Sequence, residues 1–272
     1  MHYDSLEQLP TNYDHIYLSP HLDDAVLCCG GAIASQRAIG ERVLVVNICS
    51  AAPRPDTAFS ALAREFHATW ALNPEQVVAA RLAEDAAALA EIGADSLRVG
   101  MLDAIYRYPV AYDSRDSLFG LPAPDDILLP ALQALLTNLH KCQPNARFYS
   151  PLGVGSHVDH QITCRVALEQ FGRELLLYED FPYVMRPGEL EQRLVALDRP
   201  LHPRVIAIDA TLPQKVIAVR CYASQMVELA QSQLGHLMDI HAATNAIAEA
   251  VSAYAHSVGF ADGYSERLWV SA

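Results

Sequence analysis

Residues 17–31 read Tyr-Leu-Ser-Pro-His-Leu-Asp-Asp-Ala-Val-Leu-Cys-Cys-Gly-Gly, which predicts a short apolar strand, a polar turn and a helix that begins near Asp24. His21, Asp23 and Asp24 fall in the turn, at the carboxyl end of the strand. Open α/β sheets bind their ligands at that end of the strands. The stretch therefore predicts both an α/β fold and the edge of the sheet at which a site lies.

A second stretch repeats this arrangement at residues 148–161, Phe-Tyr-Ser-Pro-Leu-Gly-Val-Gly-Ser-His-Val-Asp-His-Gln. An apolar strand leads into a glycine-containing turn, and His157, Asp159 and His160 stand at the start of the next predicted helix. If the two strands are neighbours in the sheet, one pocket collects three histidines and three aspartates.

The chemistry that suits this set of side chains is a divalent metal with an open coordination position. Two neutral imidazoles and one carboxylate make a three-ligand zinc site, and a further carboxylate beside it can accept a proton from water. Each cluster alone has a simpler interpretation, because an Asp-Asp pair before a helix is usually a cap. We interpret Asp125-Asp126 in that way. Two clusters that both follow apolar strands and both open helices favour the metal.

The rest of the chain alternates short aliphatic runs with alanine-rich stretches of helical spacing, which indicates an α/β fold. We predict a Rossmann-like, mainly parallel sheet with helices on both faces and the site at the C-terminal ends of the strands. The predicted strands are 16–18, 43–48, 97–99, 148–149, 175–178 and 205–208, and the predicted helices are 25–39, 74–92, 125–140, 159–171 and 213–233. Two irregular segments, 106–124 and 180–203, are expected to be pocket walls.

Composition limits the classes of partner. The 272 residues are 51% hydrophobic, and 19 Lys and Arg against 32 Asp and Glu give a net charge of −13. This balance argues against nucleic acid and against an anionic membrane surface, and it suits a neutral or cationic small molecule. No apolar run reaches the length of a membrane span, and the N-terminal residues are too polar for a secretory signal. Six cysteines without a Cys-x-x-Cys pair predict reduced, buried thiols and a cytoplasmic protein.

The paired motifs resemble those of the PIG-L / LmbE-like family of zinc-dependent N-acetylglucosaminyl deacetylases and amidases. The family's His-Pro-Asp-Asp is similar to residues 21–24 here, with Leu22 in place of proline, and its His-x-Asp-His is similar to residues 157–160. The likeness continues to about Trp269. It includes Gly30-Gly31, the Arg-Leu-Ala-Glu-Asp stretch at 81–85, the Tyr-Ala-Ser-Gln stretch at 222–225, and the Glu-Arg-Leu-Trp stretch at 266–269.

The resemblance implies one PIG-L/LmbE-like deacetylase domain over residues 1–272 and a role for each motif residue. Zinc, with Fe²⁺ as an alternative, would be bound by His21, Asp24 and His160. Asp23 would be the general base, and His157 would stabilise the oxyanion or protonate the departing amine. Asp159 would not bind the metal but would orient a histidine, and Arg81 and Asp103 would line the substrate pocket.

The resulting functional prediction is a hydrolase that removes the N-acetyl or another N-acyl group from an amino-sugar-containing small molecule, such as an N-acetylglucosamine conjugate. Two alternatives stay open at this point. Two histidines and a carboxylate also form the metal site of Fe(II) oxygenases. The other alternative is a non-catalytic sugar- or metal-binding module with a degenerate site, which would be favoured if Asp23 or a ligand were missing, and none is. The apolar composition makes a homo-oligomer possible.

Overall fold

Two fully buried strands, both rich in aliphatic residues, lie side by side in the middle of the sheet. A computed structural model describes residues 1–54, 56–70, 74–235 and 238–272. The strands are β1 (His2–Tyr3), β2 (His15–Ser19), β3 (Val43–Asn47), β4 (Asp95–Arg98), β5 (Arg147–Pro151), β6 (Leu176–Tyr178), β7 (Leu201–Ala207) and β8 (Ser265–Ser271). Every residue of β2 and β3 is buried, as expected for strands that are covered on both faces.

The strand order is β1-β4-β3-β2-β5-β6-β8-β7. Strands β1 to β6 pair in parallel, and β8 runs antiparallel to both β6 and β7. From β2 the chain builds outward through β3 and β4, and it then returns to the other side of β2 with β5. The order of the strands therefore reverses between β2 and β5, which is the position where open α/β sheets leave a crevice for a ligand.

The helices connect these strands. They are α1 (Asp24–Ala38), α2 (Ala61–Trp70), α3 (Pro74–Glu91), α4 (Ala104–Arg107), α5 (Arg115–Leu118), α6 (Leu128–Cys142), α7 (Val158–Phe171), α8 (Glu189–Leu197), α9 (Leu212–Arg220), α10 (Ala223–Leu234) and α11 (Ile240–Ser257). Right-handed crossovers place α1 and α3 on one face of the sheet and α7 on the other. The predicted mainly parallel sheet with helices is confirmed.

Helix α1 packs closely against the chain that follows β7. A Cβ atom at Gly31 would lie 2.7 Å from Ile208, so only glycine fits this contact without a shift of the neighbour. The backbone N–H groups of Gly31 and Ala32 donate to the two carboxylate oxygens of Glu266, at 2.9 and 2.8 Å. Lys215 pairs with the same carboxylate at 2.6 Å, so both oxygens of the buried Glu266 carboxylate accept hydrogen bonds.

Several sequence predictions need correction. The predicted helix 213–233 is two helices, α9 and α10, that meet at Tyr222. Segment 106–124 contains α5, and segment 180–203 contains α8, so neither is wholly irregular. The sequence patterns did not predict helices α2 and α11 or the short strand β1. All six cysteines are free, but Cys142 is exposed and Cys221 half-buried rather than buried. Within the described ranges, none of the helices is long and apolar enough to cross a lipid bilayer.

Candidate active site

The turn between β2 and α1 is shaped by its own side chains. The Ser19 hydroxyl donates to the carbonyl of His21 at 2.6 Å and accepts from the backbone N–H of Ala25 at 3.1 Å. The backbone N–H of His21 donates to Asp24 Oδ2 at 2.7 Å. These bonds close the turn and hold the side chains of His21 and Asp24 on the same side, over the carboxyl end of β2.

The turn between β5 and α7 is held by a side chain that follows a different strand. Asp180, which follows β6, accepts the backbone N–H groups of Gly153 and Val154 at 2.7 and 2.8 Å. His157 is the N-cap of α7, and its Nδ1 accepts the backbone N–H of Asp159 at 3.2 Å. Because β2 and β5 are adjacent and parallel, the two turns lie side by side.

Three donor atoms from the two turns form a nearly equilateral triangle. The distances are 3.3 Å from His21 Nδ1 to Asp24 Oδ2, 3.3 Å from Asp24 Oδ2 to His160 Nε2, and 3.3 Å from His160 Nε2 to His21 Nδ1. Ligands about 2.0–2.1 Å from a tetrahedral zinc ion are separated by about 3.3–3.4 Å. All three residues are buried. The donor set therefore fits a divalent metal of this size and leaves a fourth position open toward the pocket.

Each imidazole of the triangle has a carboxylate behind it. His160 Nδ1 lies 2.7 Å from Asp180 Oδ1, and His21 Nε2 lies 3.2 Å from Asp159 Oδ2. Such pairs fix the tautomer and the orientation of metal-binding histidines. Cys49 also approaches Asp159, with Sγ 3.7 Å from Oδ2. The resulting group of His21, Cys49 and Asp159 lies on the Nε2 side of His21, away from the triangle.

The electrostatics of the triangle favour a positive charge. Burial by itself lowers the pKa of His21, but hydrogen bonds with Asp159 and Asp24 outweigh burial and hold that pKa well above its usual value. Burial raises the pKa of Asp24, but the charge of His160 and the hydrogen bond from His21 hold it well below its usual value. A metal ion bound at this position would displace the protons of the imidazoles, and its positive charge would then interact with the neighbouring carboxylates in their place.

Asp23 faces the same pocket but does not cap α1, because its side chain makes no capping hydrogen bond. Its Oδ1 lies 3.4 Å from Nη2 of Arg81. Burial raises the pKa of Asp23, the positive charge of Arg81 opposes this shift, and the charge of Asp24 adds to it. A carboxylate with a raised pKa is a stronger base than an exposed one, as a group that accepts a proton from water needs to be.

His157 lies on the other side of the triangle. Its ring meets the His21 ring edge to face, at 4.8 Å between the centroids. Burial and the neighbouring charge of His21 hold the pKa of His157 well below its usual value, so the ring is neutral. Because Nδ1 accepts the N–H of Asp159, the ring proton is on Nε2. His157 therefore offers a hydrogen-bond donor within the pocket.

The pocket above these groups encloses about 730 Å³, including space that is open to solvent. Arg81 and Asp103 line it, at the positions where the sequence predicts substrate contacts. Asp103 also caps α4, where its Oδ1 accepts the N–H of Ile105 at 3.2 Å. Apolar side chains from four parts of the chain make the walls: Phe66, Leu118, Phe119, Phe181, Tyr183 and Leu229. Both segments expected to be walls, 106–124 and 180–203, supply some of these residues.

Sequence reasoning missed three groups of residues at the site. Asp180 carried a usable signal, because it follows an apolar strand just as His21 does. Gln225 and Glu228 bring α10 into the pocket wall; Gln225 ends the Tyr-Ala-Ser-Gln stretch that resembles the family, but Glu228 carried no signal beyond its helical spacing. Arg107 and Asp126 were also missed. Asp126 accepts the N–H of Leu128 at 2.9 Å, as a cap does, but Arg107 binds both of its oxygens as well.

Comparison with known proteins finds similar sequences and similar structures. Residues 16–171, more than half of the chain, match the PIG-L family, described as GlcNAc-PI de-N-acetylase. The chain is 28% identical over 196 residues to the 2'-N-acetylparomamine deacetylase of Niallia circulans, which covers 65% of this chain and 70% of that protein.

Two solved structures are similar over almost the whole chain. A deacetylase from the biosynthesis pathway of teicoplanin is 28% identical and superposes with a TM-score of 0.75, over 93% of this chain and 96% of that one. A zinc-inhibited form of the teicoplanin deacetylase Orf2 is 27% identical, with a TM-score of 0.74 and the same coverage of 93% and 96%.

Proposed function

Because the chain belongs to the PIG-L family, whose members include de-N-acetylases, we propose that it is a zinc-dependent hydrolase that removes the N-acetyl or another N-acyl group from an amino-sugar-containing small molecule. An N-acetylglucosamine conjugate is the substrate class that we favour. The chain is a metal-dependent amide hydrolase, and the relatives that it resembles are deacetylases. Strands from both ends of the chain share one sheet, which supports a single domain over residues 1–272.

The observation that carries the proposal is the triangle of His21 Nδ1, Asp24 Oδ2 and His160 Nε2, with 3.3 Å along each edge. Two imidazoles and one carboxylate are the ligands of hydrolytic zinc sites. Fe²⁺ accepts the same ligands, so the geometry favours zinc without excluding iron. A bound divalent ion supplies Lewis-acid polarisation of the acyl oxygen and lowers the pKa of a water molecule.

Asp23, Arg81 and His157 have separate roles in the hydrolysis. Asp23 accepts the proton of the attacking water, and Arg81 holds the Asp23 carboxylate in place from 3.4 Å. His157 donates the Nε2 hydrogen to the oxyanion of the tetrahedral intermediate. The low pKa of His157 favours this role over protonation of the departing amine, because a neutral ring donates a hydrogen bond but holds no spare proton. Asp23, once protonated by the attacking water, supplies that proton.

The lining of the pocket is compatible with a small amino-sugar conjugate. Its walls are mostly apolar and aromatic, with a few polar groups at the base, which is typical of sites for small molecules. Gln225 and Glu228 supply polar groups on the α10 side, where hydroxyl or amino groups of a sugar find partners. One relative is a 2'-N-acetylparomamine deacetylase, and another is a deacetylase of the biosynthesis pathway of teicoplanin.

The experiment is metal analysis of the purified protein, followed by an amine-release assay on N-acetylglucosamine, several of its conjugates and 2'-N-acetylparomamine. We expect about one zinc ion per chain, release of acetate with the amine, loss of activity with a chelator, and recovery when zinc is added back. An oxygen requirement with an oxidised product would instead favour the Fe(II) oxygenase. Stoichiometric substrate binding without product at any metal loading would favour a non-catalytic module.

A further inference from the structure

A buried arginine lies behind the metal-binding triangle without touching it. Arg107, the last residue of α4, has only 2% of its side chain exposed. Its Nε and Nη2 atoms donate to the two oxygens of Asp126, each at 2.8 Å. Nη1 donates to the carbonyl of Leu102 at 2.6 Å, and Nη2 also donates to Asp159 Oδ1 at 2.6 Å. Four hydrogen bonds thus fix the guanidinium between two carboxylates.

Asp126 is itself held rigidly at the start of α6. Besides Arg107, it receives the Tyr112 hydroxyl at 2.8 Å and the backbone N–H of Leu128 at 2.9 Å. Its side chain has no exposed surface. An aspartate that served only as a helix cap would not need an arginine on both oxygens. The rigid partner makes Arg107 a fixed point, since the bidentate fork allows one orientation of the guanidinium.

Asp159 connects this fixed point to the metal site. Its Oδ1 accepts from Arg107, while its Oδ2 accepts the backbone N–H of Ala104 at 3.1 Å and lies 3.2 Å from His21 Nε2. Because Arg107 is hydrogen-bonded to Oδ1, the Asp159 carboxylate is oriented with Oδ2 toward His21. In that arrangement the His21 proton is on Nε2, and Nδ1 is left with its lone pair toward the triangle.

We propose that Arg107 is a positioning residue of the metal centre, which sets the orientation of His21, and with it the metal affinity, through Asp159. The proposal rests on the proposed function only in that it requires the triangle to bind a metal. Through Asp159, Arg107 connects the metal site with residues 106–124, the segment that forms a pocket wall. Arg107 and Tyr112 belong to that segment, and neither is part of the motifs that carry the ligands.

The test uses Arg107→Lys in the full-length protein. Lysine keeps the positive charge but cannot bind both oxygens of Asp126 and one of Asp159 together. The matched control is Arg267→Lys, because Arg267 also pairs with a buried carboxylate, that of Glu179, at 2.5 Å, and its side-chain hydrogen bonds among the described residues go to Glu179 and Tyr254 rather than to Asp159. A second variant, Asp126→Asn, keeps the shape of the anchor and removes its charge.

Zinc affinity is measured by competition with a chromophoric chelator, and the visible spectrum of the Co²⁺-substituted protein reports the ligand geometry. We expect Arg107→Lys to weaken zinc binding by about tenfold and to alter the Co²⁺ spectrum. Asp126→Asn should give a smaller loss in the same direction, and Arg267→Lys should match the wild type. If Arg107→Lys does not fold, the zinc affinity and the Co²⁺ spectrum of Asp126→Asn test the proposal.

A purely structural role gives a different pattern. The unfolding temperature of the metal-free variants would fall, while zinc affinity and the Co²⁺ spectrum stayed as in the wild type, and this result would overturn the proposal. Wild-type protein that binds neither ion would overturn it too, together with the proposed function. The wild-type titration separates these two failures, because in the first case the wild type still binds zinc.

Discussion

The carboxylate of Asp180 binds His160 with one oxygen and the turn before it with the other. Oδ1 lies 2.7 Å from His160 Nδ1, and Oδ2 accepts the backbone N–H groups of Gly153 and Val154 at 2.7 and 2.8 Å. A residue at the end of β6 therefore both orients a metal-binding imidazole and shapes the loop that leads to it. The neighbouring strand, rather than the motif itself, determines the position of the second histidine.

This relationship predicts that Asp180→Asn weakens zinc binding by about 10–100-fold, the range found when the partner of a metal-binding histidine is removed. The amide presents one acceptor where the carboxylate presents two, so either the histidine or the loop loses its partner. Chelator competition measures the affinity. Asp198→Asn, at an exposed position after α8, is the control. Equal zinc affinity in Asp180→Asn and the wild type would contradict the assignment.

Substitution of Asp23 separates metal binding from turnover. We expect Asp23→Asn to retain about one zinc ion per chain and to lose about 10²–10⁴-fold in kcat, the usual contribution of a general base. The reason is that Asp23 lies beside the triangle but supplies none of its three donor atoms. Asp24→Asn is the contrasting variant, and it should lose the metal along with the activity. Full activity of Asp23→Asn would show that another group takes the proton.

Helix α1 offers a prediction about stability. Gly31→Ala places a Cβ atom 2.7–2.8 Å from three atoms of Ile208. The higher helix propensity of alanine is worth at most about 1 kcal/mol, and forced overlap in a packed core costs about 1–3 kcal/mol, so we expect net destabilisation. An Ile208→Ala background removes the contacts with Cδ1 and Cγ2 and keeps the contact with Cβ at 2.8 Å, so the same substitution should destabilise the protein less there. Denaturant unfolding of the four proteins of this cycle measures the coupling, and additive effects would contradict the contact.

The local part of the site was predictable from the sequence. Each cluster lies within a few residues of its own strand, so the strand-turn-helix pattern alone places His21 and His157 at the carboxyl end of the sheet. Adjacent, parallel β2 and β5 then bring the clusters together. The same local signal would have found Asp180, which follows β6, if the rule had been applied to every strand.

The remaining contacts depend on residues that are distant in the sequence and carry no periodic signal. Arg107 meets Asp159 across 52 positions, and Glu266 meets Gly31 across 235. The end of α9 at Arg220 was missed because residues 213–233 contain no internal glycine or proline after Pro213. The break at Tyr222 is set by tertiary contacts, since the Tyr222 hydroxyl donates to Asp85 at 2.9 Å.

Asp85 gives a prediction about the pH dependence of stability. Burial raises its pKa to about 7, although hydrogen bonds from Tyr222 and Asn47 lower it. In the unfolded chain the pKa is near 3.9. Between these values the unfolded state has released the proton and the folded state has kept it. The contribution of Asp85 to stability is therefore fully present below about pH 4, is lost as the pH rises to about 7, and stays constant above that.

Asp85→Asn isolates this contribution, because the amide is neutral at every pH in the range. Asn47 Oδ1 has no hydrogen-bond partner among the described residues, so a flip of Asn47 lets it accept from the new amide. We expect the unfolding free energy of the wild type, relative to Asp85→Asn, to fall by about 3 kcal/mol between pH 4 and pH 7, at about 1.4 kcal/mol per unit of pKa shift.

Urea unfolding of both metal-free proteins at several pH values gives the difference directly, and the metal ligands cancel because they are the same in both. Parallel pH profiles for the two proteins would mean that Asp85 is ionised in the folded state at pH 5, and that Asn47 and Tyr222 stabilise its charge more strongly than burial opposes it.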